Sequence, residues 1–539
     1  VHADHPAPLR RRELHFGNRV VWCFGERMRC IYGALRGAVQ QHGDRTALVF
    51  GEGSWTYAQV EAEVGRIAAG LRLLGVTAGD RVAMWVRNRP EFVFIFFAIQ
   101  RLGAVAVPVD VRLQAAEMAH VLADSGARVL LHDEELTGRL PIAGVSAPHV
   151  QPVAVPEPKA GALFAHASYH SAPEQQAAAR EDDVAVILYT SGTTGRPKGA
   201  AITHFNVAHS VLHHAGNLGL TADDRSLIAL PLSHVTGLLC GVIAPFSTGG
   251  TLILLPNFKA AEFLRTAAAA RMTYTIMVPA MYHLCLREAD FAALDLSTWR
   301  LGHFGGAPMP QATIDALARR LPGLQLVNGY GATELCSPAT MWPPGEPRVP
   351  LDSVGRVMPC AEIVVVDPET GIEVPSQRAG ELWIRGPMVI KEYWNDPAAT
   401  AAGIVDGYWR SGDLGSIDAD GWVYVHDRLK DLINRGGYKV YSAEVEACLL
   451  EFPGIAEAAV VAKRDPVLGE RVHAFVSASQ PVSPCELSAF CAERLADYKV
   501  PEGWTIGSDP LPRTHTGKVD KKDLRLRAAA CQPLIGASS

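Results

Sequence analysis

An eleven-residue stretch at 189–199, Y-T-S-G-T-T-G-R-P-K-G, carries four Ser and Thr hydroxyls, three glycines and a lysine. The run before it, V-A-V-I-L at 184–188, reads as a buried strand. A strand that feeds such a loop suits a polyphosphate. Glycines let backbone N–H groups approach, hydroxyls donate hydrogen bonds and the lysine supplies charge. The P-loop pattern G-x-x-x-x-G-K-[ST] does not fit. The spacing from Gly195 to Lys198 is too short, and Gly199 stands where a Ser or Thr would bind magnesium. A plain Gly/Ser/Thr surface loop is the ordinary alternative.

The stretch resembles the signature of the adenylate-forming superfamily, which includes acyl-CoA synthetases, peptide-synthetase adenylation domains and firefly luciferase. Four further segments match that family in order: G-Y-G-A-T-E-L at 329–335, Y-W-R-S-G-D-L-G at 408–415, D-R-L-K-D-L-I-N-R-G-G-Y-K-V at 427–440 and P-R-T-H-T-G-K at 512–518. The resemblance runs from roughly residue 30 to residue 525. It implies that ATP activates a carboxylate as an acyl-adenylate, with magnesium, before transfer to coenzyme A. The barrier is one anion attacking another, so such a site must neutralise charge.

The resemblance also assigns roles. Thr190, Ser191, Gly192, Thr193, Thr194 and Lys198 would hold the β- and γ-phosphates. Tyr330 would pack on adenine, with Asn328, Gly329 and Gly331 beside it, and Thr333 would bond the α-phosphate. Glu334 would ligate magnesium, a hard cation that prefers carboxylate oxygen. Gly305, Gly306 and Ala307, in H-F-G-G-A-P, would line adenine and the acyl group through backbone atoms. Asp413 and Arg428 would reach the ribose. Lys430 matches the family's hinge, about which a small C-terminal domain swings. One orientation would bring Lys518 to the carboxylate and α-phosphate; the other would bring Gly436, Gly437 and Lys439 in and open a pantetheine tunnel. His234, in P-L-S-H-V-T-G, matches the position beside the acyl carboxylate. Taken singly, each has a bland alternative: a surface ion pair for Asp413 and Arg428, a solvated tail lysine for Lys518, a satisfied core histidine for His234. His209 and His213, four apart with His214 adjacent, raise the thought of zinc but lack a third ligand type.

The acyl pocket, mapped by the same resemblance, takes in Val235, Thr236, Cys240, Ser337 and Pro338, none of them charged. A second carboxylate or an ammonium buried there would lack a partner. The expected acid is a monocarboxylate with an apolar tail, a fatty acid ahead of an aryl acid. A non-CoA acceptor such as a carrier protein or an amine, or luciferase-like oxidation, is the alternative outcome of the same adenylation.

Length and composition agree. At 539 residues the chain needs at least two domains. A hydrophobic share of 48% and a net charge of -6, with no basic run, describe a globular protein and argue against nucleic acid as a partner. The longest apolar run, F-V-F-I-F-F-A-I at 92–99, is too short to span a bilayer and reads as a buried helix. The first residues lack an apolar signal segment and the ten cysteines are scattered, so a cytoplasmic protein with reduced thiols is expected. No carrier domain is expected after the last motif, and the oligomeric state is left open.

Strand-length apolar runs at 81–86, 104–109, 127–131, 184–188 and 251–255 alternate with helical stretches, the pattern of an α/β fold with largely parallel sheets. Residues 141–180 turn Pro- and Ala-rich and read as a surface connection. From about 361 short Gly-bounded strands suggest a β-rich subdomain, and after 430 a small α+β unit follows. The expectation is a large N-terminal domain over 1–427 and a small mobile domain over 428–539, hinged near Lys430.

Overall fold

The computed structural model describes residues 30–140, 150–156, 163–164, 179–190, 197–336, 338–359, 361–514 and 518–530. Three sheets organise them. The first has seven strands in the order 392–393, 198–203, 184–190, 105–108, 81–85, 129–133 and 151–155. Its central strands are parallel. The strand Val184–Thr190 is buried on both faces: Val186 and Leu188 enter one core and Ile187 another. That two-sided burial explains its unbroken apolar run. The strand Gln151–Val155 corrects the reading of 141–180 as a plain connection. It pairs parallel with Val129–Asp133 at the sheet edge, where a proline is tolerated.

The second sheet has fourteen strands. Its parallel part carries Leu301–Gly305 and Gln325–Tyr330 side by side. The strands from Glu362 onward have their own core, including Leu382, Ile384, Trp409 and Val423. Their sheet nevertheless runs on, through Thr340–Met341 and Gly355–Val357, into the parallel part, so the β-rich region extends the large sheet. The apolar run at 92–99 lies within the helix Pro90–Arg101, with proline at its first turn. Every residue from Phe92 to Ile99 is buried, as expected of a helix apolar all round.

The third sheet has five strands and its own core, built from residues such as Ile433, Val460, Val472 and Leu487. The strand Trp422–Arg428 of the second sheet touches this unit through the buried Asp427. The Asp427 carboxylate accepts the Ser442 N–H at the start of the helix Ser442–Leu450, and the Ser442 hydroxyl at 3.1 Å. That hydroxyl in turn accepts from Lys521 Nζ at 2.7 Å. Asp427 therefore caps a helix that follows Lys430. No helix among the described residues is long and apolar enough to cross a membrane.

Candidate active site

The phosphate-type loop joins two antiparallel strands, since Thr190 pairs with Lys198 and Tyr189 with Gly199. The sequence showed the first strand; the second, Lys198–Thr203, starts at the lysine itself. The Tyr189 hydroxyl donates to Asp124 Oδ2 at 2.5 Å and pins the base of the hairpin. Gly199 is glycine for packing: a Cβ there would lie 2.8 Å from Ile187 Cγ2 and 3.3 Å from Trp394 Cβ. Ser191, Gly192, Thr193 and Thr194 lie outside the described residues, as does Ser337.

Glu334 stands in the short 3-10 helix Thr333–Leu335, reached from the end of the strand Gln325–Tyr330. The turn closes on Cys336, which adopts a left-handed φ of 51°. Glu334 Oε1 accepts the Tyr393 hydroxyl at 3.0 Å. Partial burial raises the Glu334 pKa, while Tyr393, Arg428 and Lys198 pull the other way. A carboxylate oxygen donor of this kind fits magnesium, a hard cation.

Asp413 and Arg428 face each other across neighbouring strands, with Arg428 Nε 3.3 Å from Asp413 Oδ1. The Tyr330 hydroxyl donates to Asp413 Oδ2 at 2.7 Å. Burial pushes the Asp413 pKa up, against the fields of Arg428, Lys518 and Lys430. Lys518 lies on a loop closed by the Thr514 N–H donating to the Lys518 carbonyl at 2.8 Å. It keeps solvent access, yet surrounding protein lowers its pKa, as do Arg428 and Lys430, while Asp413 and Glu334 raise it. Lys430 is exposed, its pKa is lowered by desolvation and Arg428, and its carbonyl accepts from Arg525 at 3.2 Å. The structure thus brings Lys198, Glu334, Asp413, Arg428, Lys430 and Lys518 into one electrostatic neighbourhood.

The turn at 436–439 makes its contacts elsewhere. The Gly436 N–H donates to the Leu468 carbonyl at 2.8 Å, and Lys439 Nζ lies 3.6 Å from Glu369. Gly436 and Gly437 have φ of 58° and 95° and form the two-residue tip between Ile433–Arg435 and Tyr438–Val440. Such a tip needs positive φ at both positions, so the glycine pair has a local reason independent of any thiol arm. The same holds upstream. A Cβ on Gly305 would lie 2.4 Å from the Gly329 carbonyl, and one on Gly329 would lie 2.4 Å from His303 Nε2. Strand packing therefore demands both glycines. Gly306 and Ala307 are exposed, and so is Gly331. Asn328 turns its amide to the Ser353 carbonyl at 3.2 Å, which holds the neighbouring loop.

His234 precedes the π-helix Thr236–Ile243, which contains Cys240; Val235, Cys240 and Pro338 are buried. His234 Nε2 sits 3.2 Å from Asp110 Oδ2. Asp110 also binds Arg112 through both carboxylate oxygens, at 3.0 and 2.8 Å. Its pKa falls well below the usual range: the bonds from His234 and Arg112 outweigh desolvation. An ionised carboxylate only accepts, so His234 Nε2 carries a proton. Asp110 and Tyr393 are the residues that sequence reasoning missed. Asp110 had a signal: a carboxylate just past a parallel strand, at the edge where such sheets bind ligands. Tyr393 had none, since its partners lie far away in sequence.

Four cations gathered around two carboxylates, Lys198 at the start of a strand among them, mark a nucleotide-handling enzyme. A family model described as AMP-binding enzyme matches residues 35–394, and one described as AMP-binding enzyme C-terminal domain matches 444–518. The chain belongs to this AMP-binding enzyme family, within the adenylate-forming superfamily. It is similar to a long-chain-fatty-acid–CoA ligase of Mycobacterium tuberculosis, 35% identical over 89% of this chain and 94% of that protein. It is also similar to a feruloyl-CoA synthase of Amycolatopsis sp, 37% identical over 89% of this chain and 96% of that protein. Among solved structures, the O-succinylbenzoate coenzyme A synthetase of Bacillus subtilis, in complex with ATP and magnesium ion, superposes with a TM-score of 0.82. It is 32% identical and covers 92% of this chain and 98% of its own.

Proposed function

We propose that this protein is an ATP-dependent carboxylate–CoA ligase that works in two steps: acyl-adenylate formation with pyrophosphate release, then thioester formation. The observation that carries the reading is the convergence of Lys198, Arg428, Lys430 and Lys518 on Glu334 and Asp413, from separate chain segments. An anion-on-anion reaction needs such a field, placed before the reactants arrive. Lys198 and the hairpin hydroxyls hold the terminal phosphates, Asp413 and Arg428 the ribose, and Thr333 the α-phosphate. Lys518 screens the attacking carboxylate. Glu334 would hold magnesium, which would supply positive charge to offset that of the phosphates.

We read 1–427 and 428–539 as two domains hinged at Lys430. Lys518 stands near Asp413, Arg428 and Glu334 while the 436–439 turn makes its contacts elsewhere, an arrangement that supports the first step. Coenzyme A as acceptor rests on the likeness to CoA ligases, because the glycine pair is explained by its turn. The uncharged lining by Val235, Thr236, Cys240 and Pro338 supports a monocarboxylic acid with an apolar tail. The test is acid-dependent ATP–pyrophosphate exchange. Exchange with an apolar monocarboxylate is expected, and its absence with every such acid would overturn the reading.

A further inference from the structure

Tyr393 touches both charged groups that the proposed function assigns to magnesium–ATP, and nothing above gives it a role. It lies on the strand Glu392–Tyr393, paired antiparallel with the strand that begins at Lys198, Tyr393 opposite Ala200. The next residue, Trp394, donates its N–H to the Gly199 carbonyl at 2.7 Å. The Tyr393 ring lies under the Lys198 ammonium, with Nζ 5.3 Å from the ring centroid, a cation–π distance. Its hydroxyl bonds Glu334 Oε1 at 3.0 Å. The Ile390 N–H, from the same segment, donates to the Glu334 carbonyl at 2.9 Å. The residue is 8% exposed, so bulk water does not compete freely for these contacts.

The direction of the hydroxyl bond is determined by a third partner. Trp409 Nε1 lies 3.3 Å from the Tyr393 oxygen. An indole N–H only donates, so it occupies a lone pair of that oxygen and leaves the phenolic proton for the carboxylate. Glu334 Oε1 then accepts the phenolic hydrogen bond, and its other oxygen is set by the carboxylate plane. Lys198 is held over the same ring.

We propose that Tyr393 is a positioning residue that fixes the Glu334 carboxylate for the divalent cation and the Lys198 ammonium for the triphosphate, with Trp409 orienting its hydroxyl. The proposal rests on the assignment of Glu334 and Lys198 given above. It is tested with Mn2+ and a non-hydrolysable ATP analogue, with Mn2+ binding to the enzyme read by electron paramagnetic resonance without turnover. Tyr393→Phe keeps the ring and removes the proton; Mn2+ affinity should fall about 10- to 100-fold, the usual effect of losing a partner that orients a metal ligand. The KM for ATP should change little. Tyr393→Leu also removes the ring and should raise the KM for ATP by about 2- to 30-fold, the range of a cation–π contact. Trp409→Phe should weaken Mn2+ binding in the same direction as Tyr393→Phe.

A lowered melting temperature with unchanged Mn2+ affinity in Tyr393→Phe would overturn the proposal, since a packing role alone gives that result. Glu334→Gln separates this failure from failure of the underlying reading. If Glu334→Gln abolishes Mn2+ binding and Tyr393→Phe does not weaken it, only the positioning role falls. If Glu334→Gln itself binds Mn2+ normally, the assignment of Glu334 falls and the proposal with it.

Discussion

Replacing Lys518 with alanine should separate the two half-reactions. The side chain stands within the fields of Asp413, Glu334, Arg428 and Lys430. A lysine about 4 Å from developing negative charge, at an effective dielectric of about 20, contributes about 4 kcal/mol. That corresponds to about a thousandfold in rate. The fold should lose little, because the deletion also relieves repulsion with Arg428 and Lys430; a change within about 0.5 kcal/mol is expected. The assay pairs ATP–pyrophosphate exchange with thioester formation from supplied acyl-adenylate. Exchange should fall about a thousandfold while the second half stays within a few-fold. Equal losses in both halves would refute the reasoning, because the residue would then serve both steps or hold the structure.

The second prediction concerns Lys439, whose recorded contact is an exposed ion pair with Glu369. Lys439→Ala should leave stability within about 0.5 kcal/mol and slow the CoA-dependent step more than pyrophosphate exchange; equal slowing would remove the turn from the second half-reaction. Asp110→Asn loses the charge that holds His234 and Arg112. A charged hydrogen bond is worth about 1.5–3 kcal/mol, so adenylation should drop about tenfold or more with the KM for ATP unchanged, and an unaltered rate would detach Asp110 from the site. Stability should be acid-sensitive. Burial depresses the pKa of His303 to about 3 and of His204 to about 4. The unfolded chain binds these protons near pH 6.5 and the native chain does not, so stability is complete above about 6.5 and falls as pH drops toward 4, by up to about 1.4 kcal/mol per unit for each histidine. Urea midpoints across that range should fall less steeply in His303→Gln than in the parent, and parallel slopes would show that His303 is not held neutral.

Much of the fold was legible because its strands are buried on both faces. V-A-V-I-L and T-L-I-L-L announce themselves as apolar runs; the strand Val184–Thr190 contains the first, and Thr251–Leu254 holds all of the second but Leu255. Gln151–Val155 stayed hidden because an edge strand needs less apolar surface and here contains a proline. The π-helix Thr236–Ile243 looked only like apolar lining, since an unbroken apolar segment carries no period. The glycines were legible as special, but their local packing reasons were not. Gly305 and Gly329 answer to neighbouring strands, and Gly436 with Gly437 to a tight turn. A glycine reports that a side chain does not fit, without saying what excludes it. Tyr393 and Asp110 are set by contacts between distant segments, Tyr393 to Glu334 and Asp110 to His234, and no local pattern carries such pairings.

The central claim is a two-step ligation with coenzyme A as acceptor. Pyrophosphate release should be measured with ATP and magnesium over carboxylic acids from acetate to palmitate, with benzoate, coumarate and malonate, in the presence and absence of coenzyme A. Sustained turnover that requires coenzyme A and peaks at an apolar monocarboxylate is the expected result. A single burst that coenzyme A does not convert to turnover would contradict the claim and leave an adenylating enzyme with a different acceptor.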